Sequence, residues 1–259
     1  MFYCGTSGFS YDDWIGIYYP AGLPRRNWLS YYAQEFNALE LNSTYYTLPG
    51  VSAMESLARK TGGGFLFSVK ANREITHNRE HAEEACKSFI RVLQPLIEAE
   101  KLGCILAQFP YSFNYVNANR DYLARLRDWM GELPLVIEFR NGAWLNPGTF
   151  DWMRQNNVSF CCVDEPQLPG LLPPVVEVTG RNGYIRFHGR NASKWWKHEH
   201  AWERYDYTYR SDELAGWMPG ISQISREAEN TFIFANNHWR GQAVDTIRQV
   251  RSMLDQLVM

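Results

Sequence analysis

Seven side chains that can exchange protons or hold an anion recur at one place in the sequence pattern. Glu40, Lys70, Gln108, Glu138, Asp164, His188 and Asn236 each fall at or near the end of a short apolar run, and each belongs to a different run. One polar residue at such a place is ordinary. Seven at the same level imply either a site or a closed ion-pair network, because unpaired charge is costly to bury. Alternation along an extended run sets Glu138 on the face of Val136, with Arg140 at the rim. It likewise joins His188 to Arg186 and Glu40 to Asn42. Glu138–Arg186 and Glu40–Lys70 are the pairs expected where these charges neutralise one another.

Three chemistries suit this set. For proton transfer, Glu138 is the first choice of general acid or base, His188 the second and Glu40 the third. For an anion, Lys70, Arg140, Arg186 and Arg190 supply charge, and Asn42, Asn236 and Asn237 supply amides. Asn236, Asn237 and Gly241 precede the last helical stretch, whose start is a natural phosphate site. Trp14, Tyr45, Tyr46, Trp144, Trp195 and Trp196 are the aromatics available to stack on a sugar or base. The third chemistry is glycoside hydrolysis by Glu40 and Glu138, which needs carboxylates roughly 5–9.5 Å apart. Residues on the second and fifth runs are expected to stand too far apart for it. Ser7, Cys161 and Cys162 are weak nucleophile candidates beside His188, with no G-x-S-x-G turn to present them.

The elements that must position these groups are short and repetitive. Apolar, β-rich runs begin at Phe2, Asn37, Phe65, Cys104, Leu133, Val158, Tyr184 and Thr231. Helical 3–4 spacing fills gaps between them: Ala82, Ala85, Cys86, Phe89, Val92, Leu93, Leu96 and Ile97 after the third run; Tyr122, Leu123, Leu126, Trp129 and Met130 after the fourth; Ala243, Ile247, Val250, Leu254 and Leu257 at the end. Strand–helix alternation implies parallel strands, and eight units in 259 residues fit a TIM (β/α)8 barrel over 1–259 as one domain. The carboxyl ends of the strands then form the active face. Two connections are long and aromatic, Gly8 to Arg26 and Gly189 to Asn230, and read equally as binding walls or as packing.

Composition removes other classes. Hydrophobic residues make up 45% and charged residues 21%, which supports a core and excludes general disorder. A net charge of −2 argues against duplex nucleic acid as the main partner. No apolar run approaches the ~18 residues of a membrane span, and MFYCGTSGFS lacks a signal-peptide pattern. A soluble, cytoplasmic protein without a membrane partner is the expectation. The five cysteines form no C-x-x-C and read as buried thiols. His77, His198, His200 and His238 read as solvated loop residues.

The blocks GTSGFSYDDWIGIYYP, FNALELNSTYY followed by LP, FLFSVKAN, LAQFPYSF, IEFRNGAW, RFHGR and FANN resemble, in order, those of the YecE-like family, catalogued as domain of unknown function 72. The resemblance spans nearly the whole chain. It implies a TIM barrel and carries no established reaction. Phe9 stands where that family more often has Trp, and FANN replaces a more usual FNN. The xylose-isomerase-like barrels are similar in a looser way, with Glu, Asp, His and Glu on strands five to eight around one divalent metal. Glu138, Asp164, His188 and Asn236 occupy those places here, so the analogy implies a metal on the first three. Arg140 and Arg186 flank them and repel a cation, which ranks a metal below an anion and leaves no cofactor as the expectation.

These readings converge on a hydrolase- or isomerase-type enzyme acting on a phosphorylated sugar-like or nucleotide-like substrate. The alternative is a non-catalytic module binding a nucleotide or single-stranded nucleic acid. The expected partner is a small anion, with single-stranded nucleic acid second, and no pattern specifies an oligomeric state.

Overall fold

Each apolar run becomes a strand: β1 (Phe2–Thr6), β2 (Ala38–Leu41), β3 (Leu66–Lys70), β4 (Leu102–Gln108), β5 (Leu135–Glu138), β6 (Val158–Asp164), β7 (Asn182–Phe187) and β8 (Asn230–Ala235). In this computed structural model, which describes residues 1–258 and side chains through residue 256, all eight lie in one parallel sheet. The Leu257 side chain and residue 259 lie outside the described residues. The sheet runs β1-β8-β7-β6-β5-β4-β3-β2. Parallel strands covered on both faces are apolar throughout, and β2, β5, β6 and β7 are buried along their whole length.

The seam between β1 and β2 closes this sheet into a TIM-type barrel by side chains as much as by backbone. At its start the Asn37 amide accepts from Cys4 N–H at 2.8 Å and donates to the Phe2 carbonyl at 2.9 Å. Midway the Tyr32 hydroxyl accepts from Thr6 N–H at 2.7 Å and donates to the Ala38 carbonyl at 3.1 Å. At its end Gly8 N–H reaches the Glu40 carbonyl at 2.8 Å. Gly5 is required there, since a Cβ would sit 2.0 Å from the Ala38 carbonyl oxygen.

Helices α1 (Trp28–Tyr32), α2 (Ser43–Tyr46), α3 (Val51–Lys60), α4 (Ala82–Glu98), α5 (Asn117–Met130), α6 (Pro147–Gln155), α7 (Ser211–Ala215), α8 (Met218–Glu227) and α9 (Gln242–Val258) surround the sheet. The apolar stripes read in the sequence are the buried faces: Cys86, Phe89, Leu93 and Leu96 on α4, Leu123 and Leu126 on α5, Ile247 and Val250 on α9. Helix α6 begins where Asn146 accepts from Thr149 N–H at 3.0 Å and Pro147 fills the first turn.

One unit departs from the expected alternation. No helix follows β6; Glu165 to Gly180 reaches β7 as a loop that turns at Pro169 and Gly170. Pro166, Pro169, Pro173 and Pro174 account for this, each lacking the N–H a helix needs. Among the described residues no helix is long and apolar enough to cross a membrane.

Candidate functional site

The carboxyl ends of the strands carry two stacked layers, a closed ionic layer and an open cavity above it. The lower layer is a chain of alternating charge. Arg186, 1% exposed, donates to Glu138 Oε2 at 2.5 Å and to Glu40 Oε1 at 2.6 Å. The other Glu40 oxygen accepts from Tyr184 at 2.7 Å, and Ser68 lies 2.6 Å from that hydroxyl. Arg140 lies with Nε 2.8 Å from Glu138 Oε1 and donates to Glu165 Oε2 at 2.5 Å. His188 completes the layer: its Nδ1 lies 3.1 Å from the Asn236 side-chain amide nitrogen, and its Nε2 lies 3.2 Å from Arg140 Nη2 and 3.3 Å from Glu138 Oε1.

Burial raises the Glu138 carboxyl, but Arg140, Arg186 and His188 together hold it well below the usual range. Burial and the charge of Arg140 hold His188 well below its ordinary value, so the ring is neutral. Burial pushes Glu165 up to about 7 against the pull of Arg140. The layer is therefore a closed set of paired charges rather than a set of open acids and bases, with Glu138 Oε1 and Arg186 Nε its two atoms lacking a hydrogen-bond partner among the described residues.

Above it lies a cavity of about 310 Å³. Lys70, Gln108 and Arg140 form its floor, and Tyr45, His77, Tyr111, Trp195, Trp196, Arg204 and Tyr205 are among its walls. Among the described residues no carboxylate lines it. The Lys70 ammonium donates to Gln108 Oε1 at 2.9 Å and sits 4.6 Å from the Tyr45 ring centre. Burial and the charge of Arg186 push it down to about 7, although Glu138 and Glu40 act the other way. Trp195 gathers two guanidiniums, Arg140 at 5.4 Å and Arg204 at 5.3 Å from its ring centre. Arg204 also donates to the Trp195 carbonyl at 2.9 Å, and among the described residues it has no acidic partner. The first half of the long β7–β8 connection thus builds a cavity wall, while its second half packs as α7 and α8. Trp202 stacked on Trp239, 3.8 Å between ring centres, ties that wall to the turn before α9.

The structure brings Glu40, Glu138, Arg140, Arg186, His188 and Asn236 together, and several expectations change. Glu138, His188 and Glu40, the expected acid–base residues, are 0% exposed and none lines the cavity. Glu40 and Glu138 share one guanidinium, so they stand close rather than far apart; it is enclosure, not separation, that removes the glycosidase arrangement. Arg186 is spent on those two carboxylates and is not open to an anion. Lys70 pairs with Gln108 instead of Glu40, whose oxygens are taken by Arg186 and Tyr184.

Asp164 points away from Glu138 and His188. It accepts from both Arg190 nitrogens at 2.8 and 2.6 Å, from Trp217 at 2.7 Å and from Tyr209 at 2.6 Å. Glu138, Asp164 and His188 therefore do not form a metal site among the described residues, and Asp164 is already saturated by donors. Asn237 bonds the Tyr207 carbonyl and Thr246, so the approach to α9 is filled by protein and not open to phosphate. Asn42 lies at the start of α2 outside the cavity. Trp14 donates to the His238 carbonyl at 2.8 Å within a buried aromatic cluster, and Trp144 is stacked between Phe113 and Phe139. Both are core, leaving Tyr45, Tyr46, Trp195 and Trp196 at the cavity. His77 and His198 line it too, and His238 stacks on Tyr11 at 4.5 Å, so these three are not merely solvated.

Glu165, Tyr184, Arg204 and Tyr205 escaped the sequence reading. Glu165 stands one residue beyond β6, whose unbroken burial gives no alternation to show which of Asp164 and Glu165 faces Arg140. Arg204 and Tyr205 had no signal, because a 42-residue connection between β7 and β8 delivers them.

The family described as "Protein of unknown function DUF72" matches residues 3–258. YunF of Bacillus subtilis, a UPF0759 protein, is 31% identical over 271 aligned positions that take in 98% of this chain and 95% of YunF. A DUF72 family protein from Thermotoga maritima, known from its crystal structure, superposes with a TM-score of 0.91 at 39% identity, over 98% of this chain and 99% of that one. A second, from Enterococcus faecalis, gives 0.87 at 29% identity over 98% and 96%. With a family match over almost its full length, this chain belongs to the DUF72 family, the YecE-like barrels that its sequence blocks resemble.

Proposed function

We propose that this barrel is a hydrolase- or isomerase-type enzyme whose cavity holds a small, ring-bearing anion of the phosphorylated sugar or nucleotide class. One observation carries the reading: the cavity is lined by Lys70, Arg140 and Arg204 and, among the described residues, by no carboxylate. Glu138 and Glu165 neutralise Arg140 from below, but Arg204 has no acidic partner among the described residues, and an anion in the cavity would supply one. Arg204 offers an unpaired guanidinium fork for a phosphoryl group, while Trp196 and Tyr45 offer ring faces for a sugar or base. About 310 Å³ is at the lower end of ligand pockets and suits one monosaccharide phosphate or a nucleotide rather than a longer chain.

Trp195 and Trp196 provide the readout. Phosphorylated sugars and nucleotides are expected to quench tryptophan fluorescence saturably, with their dephosphorylated forms at least tenfold weaker. Equal binding of neutral and phosphorylated forms defeats this reading. The enclosure of Glu138 and His188 favours a second one, a binder without chemistry. The two separate on turnover: a ligand recovered unchanged after prolonged incubation with saturated protein favours the binder.

A further inference from the structure

The cavity floor holds an amine in an unusual setting. Lys70 closes β3, where its side chain rises between Gln108 and the Tyr45 ring. Its one hydrogen-bond acceptor is the neutral Gln108 Oε1, and among the described residues it has no ion pair. Beneath it, Arg186 and Arg140 are already paired with Glu138, Glu40 and Glu165, so no carboxylate is free to fix it as an ammonium. A lysine beside fixed cations and short of acids becomes an uncharged nucleophile near neutral pH.

We infer that Lys70 is a catalytic nucleophile that forms an imine with the carbonyl carbon of an anionic substrate, such as an open-chain sugar phosphate. This rests on the anion reading of the same cavity and gives it a reaction. The uncharged amine adds its lone pair to the carbonyl carbon as the C=O π bond breaks. The amine proton passes to the oxygen, giving a carbinolamine. A hydronium ion from solvent protonates the carbinolamine hydroxyl, the nitrogen lone pair forms the C=N bond as the C–O bond breaks, water departs, and a positively charged iminium remains. The adjacent carbon of the substrate becomes acidic, which is what isomerisation of a sugar phosphate requires. Arg204 stays free to hold the phosphoryl group.

Pyridoxal 5′-phosphate, an anionic ring aldehyde, followed by borohydride tests this on the full chain. The expected result is one adduct, mapped by mass spectrometry to Lys70. It should form at least tenfold faster at pH 7 than any adduct on an exposed lysine, since an ordinary amine with pKa ~10.4 is almost wholly protonated there. Its rate should rise with pH to a plateau just above 7, the range in which Lys70 loses its proton. The charged or titratable groups facing that amine are Tyr45 and His77 in the cavity wall and Glu138, Glu40, Arg186 and Arg140 below. Lys70→Met removes the amine without adding a fixed charge beside Arg186 and Arg140; it should melt like wild type, yet form no adduct. Labelling at Lys70 no faster than at exposed lysines overturns the imine. If phosphorylated ligands still quench fluorescence in that case, the anion reading survives and only the nucleophile is wrong; if they do not, both fail.

Discussion

Arg186 on β7 and Glu138 on β5 meet at 2.5 Å across the barrel interior, with Glu40 on the other arm of the same guanidinium. One cation thus binds strands from opposite parts of the sheet beneath the cavity. Removing it leaves two buried carboxylates facing each other, at a cost of about 3–5 kcal/mol. Arg186→Met is expected to lower the thermal midpoint by roughly 6–20 °C. Arg204→Met, at the half-buried cavity wall, should stay within about 0.5 kcal/mol of wild type. Calorimetry on the two variants checks the contrast, and equal melting of both would show that the lower layer is not structural.

Two buried groups of that layer pull stability in opposite directions between pH 4.5 and 7. His188 stays neutral in the folded state, whereas an unfolded histidine takes up a proton near 6.5, so its contribution is lost as pH falls through that value. Glu165, raised from 4.5 to about 7, binds its proton first in the folded state. Its contribution is fully present below about 4.5 and is lost as pH rises through 7. Urea midpoints measured from pH 4.5 to 8 should therefore fall less on the acid side in His188→Gln and more in Glu165→Gln. Each difference is limited to about 1.4 kcal/mol per pH unit.

The Tyr32 hydroxyl stands between β1 and β2 in place of a backbone bond. Tyr32→Phe leaves the Thr6 N–H buried without that acceptor, and a loss of about 1–3 kcal/mol is expected. Amide hydrogen exchange should locate the loss at Thr6 and its β1 neighbours. Unchanged protection there would mean that the seam closes without the hydroxyl.

Much of this was legible in the sequence. Every strand fell on an apolar run, and the parity of β5 and β7 correctly set Glu138 on the same face as Arg186. Parity failed on β6 for a physical reason. A parallel strand covered on both faces has no polar side, so VSFCCVD contains no alternation to fix its phase. Asp164 was read as inward, when Glu165, one residue on, is the one that faces Arg140. The aromatics could not be sorted either: Trp14 and Trp195 look alike in sequence, but one fills a core and the other holds two guanidiniums. For Lys70 the sequence left both an anion and Glu40 as partners; the structure puts Tyr184 and Arg186 on that carboxylate.

The central claim is that the mouth of the barrel, and not the approach to α9, receives an anion. A crystal structure with a phosphorylated sugar, at a concentration that saturates the fluorescence change, tests this most directly. The expected result is a phosphoryl group within hydrogen-bonding distance of the Arg204 guanidinium, the sugar lying toward Lys70, and at least tenfold weaker binding in Arg204→Met. A ligand seated beside Asn237 and Gly241, or affinity unchanged by that substitution, would contradict it.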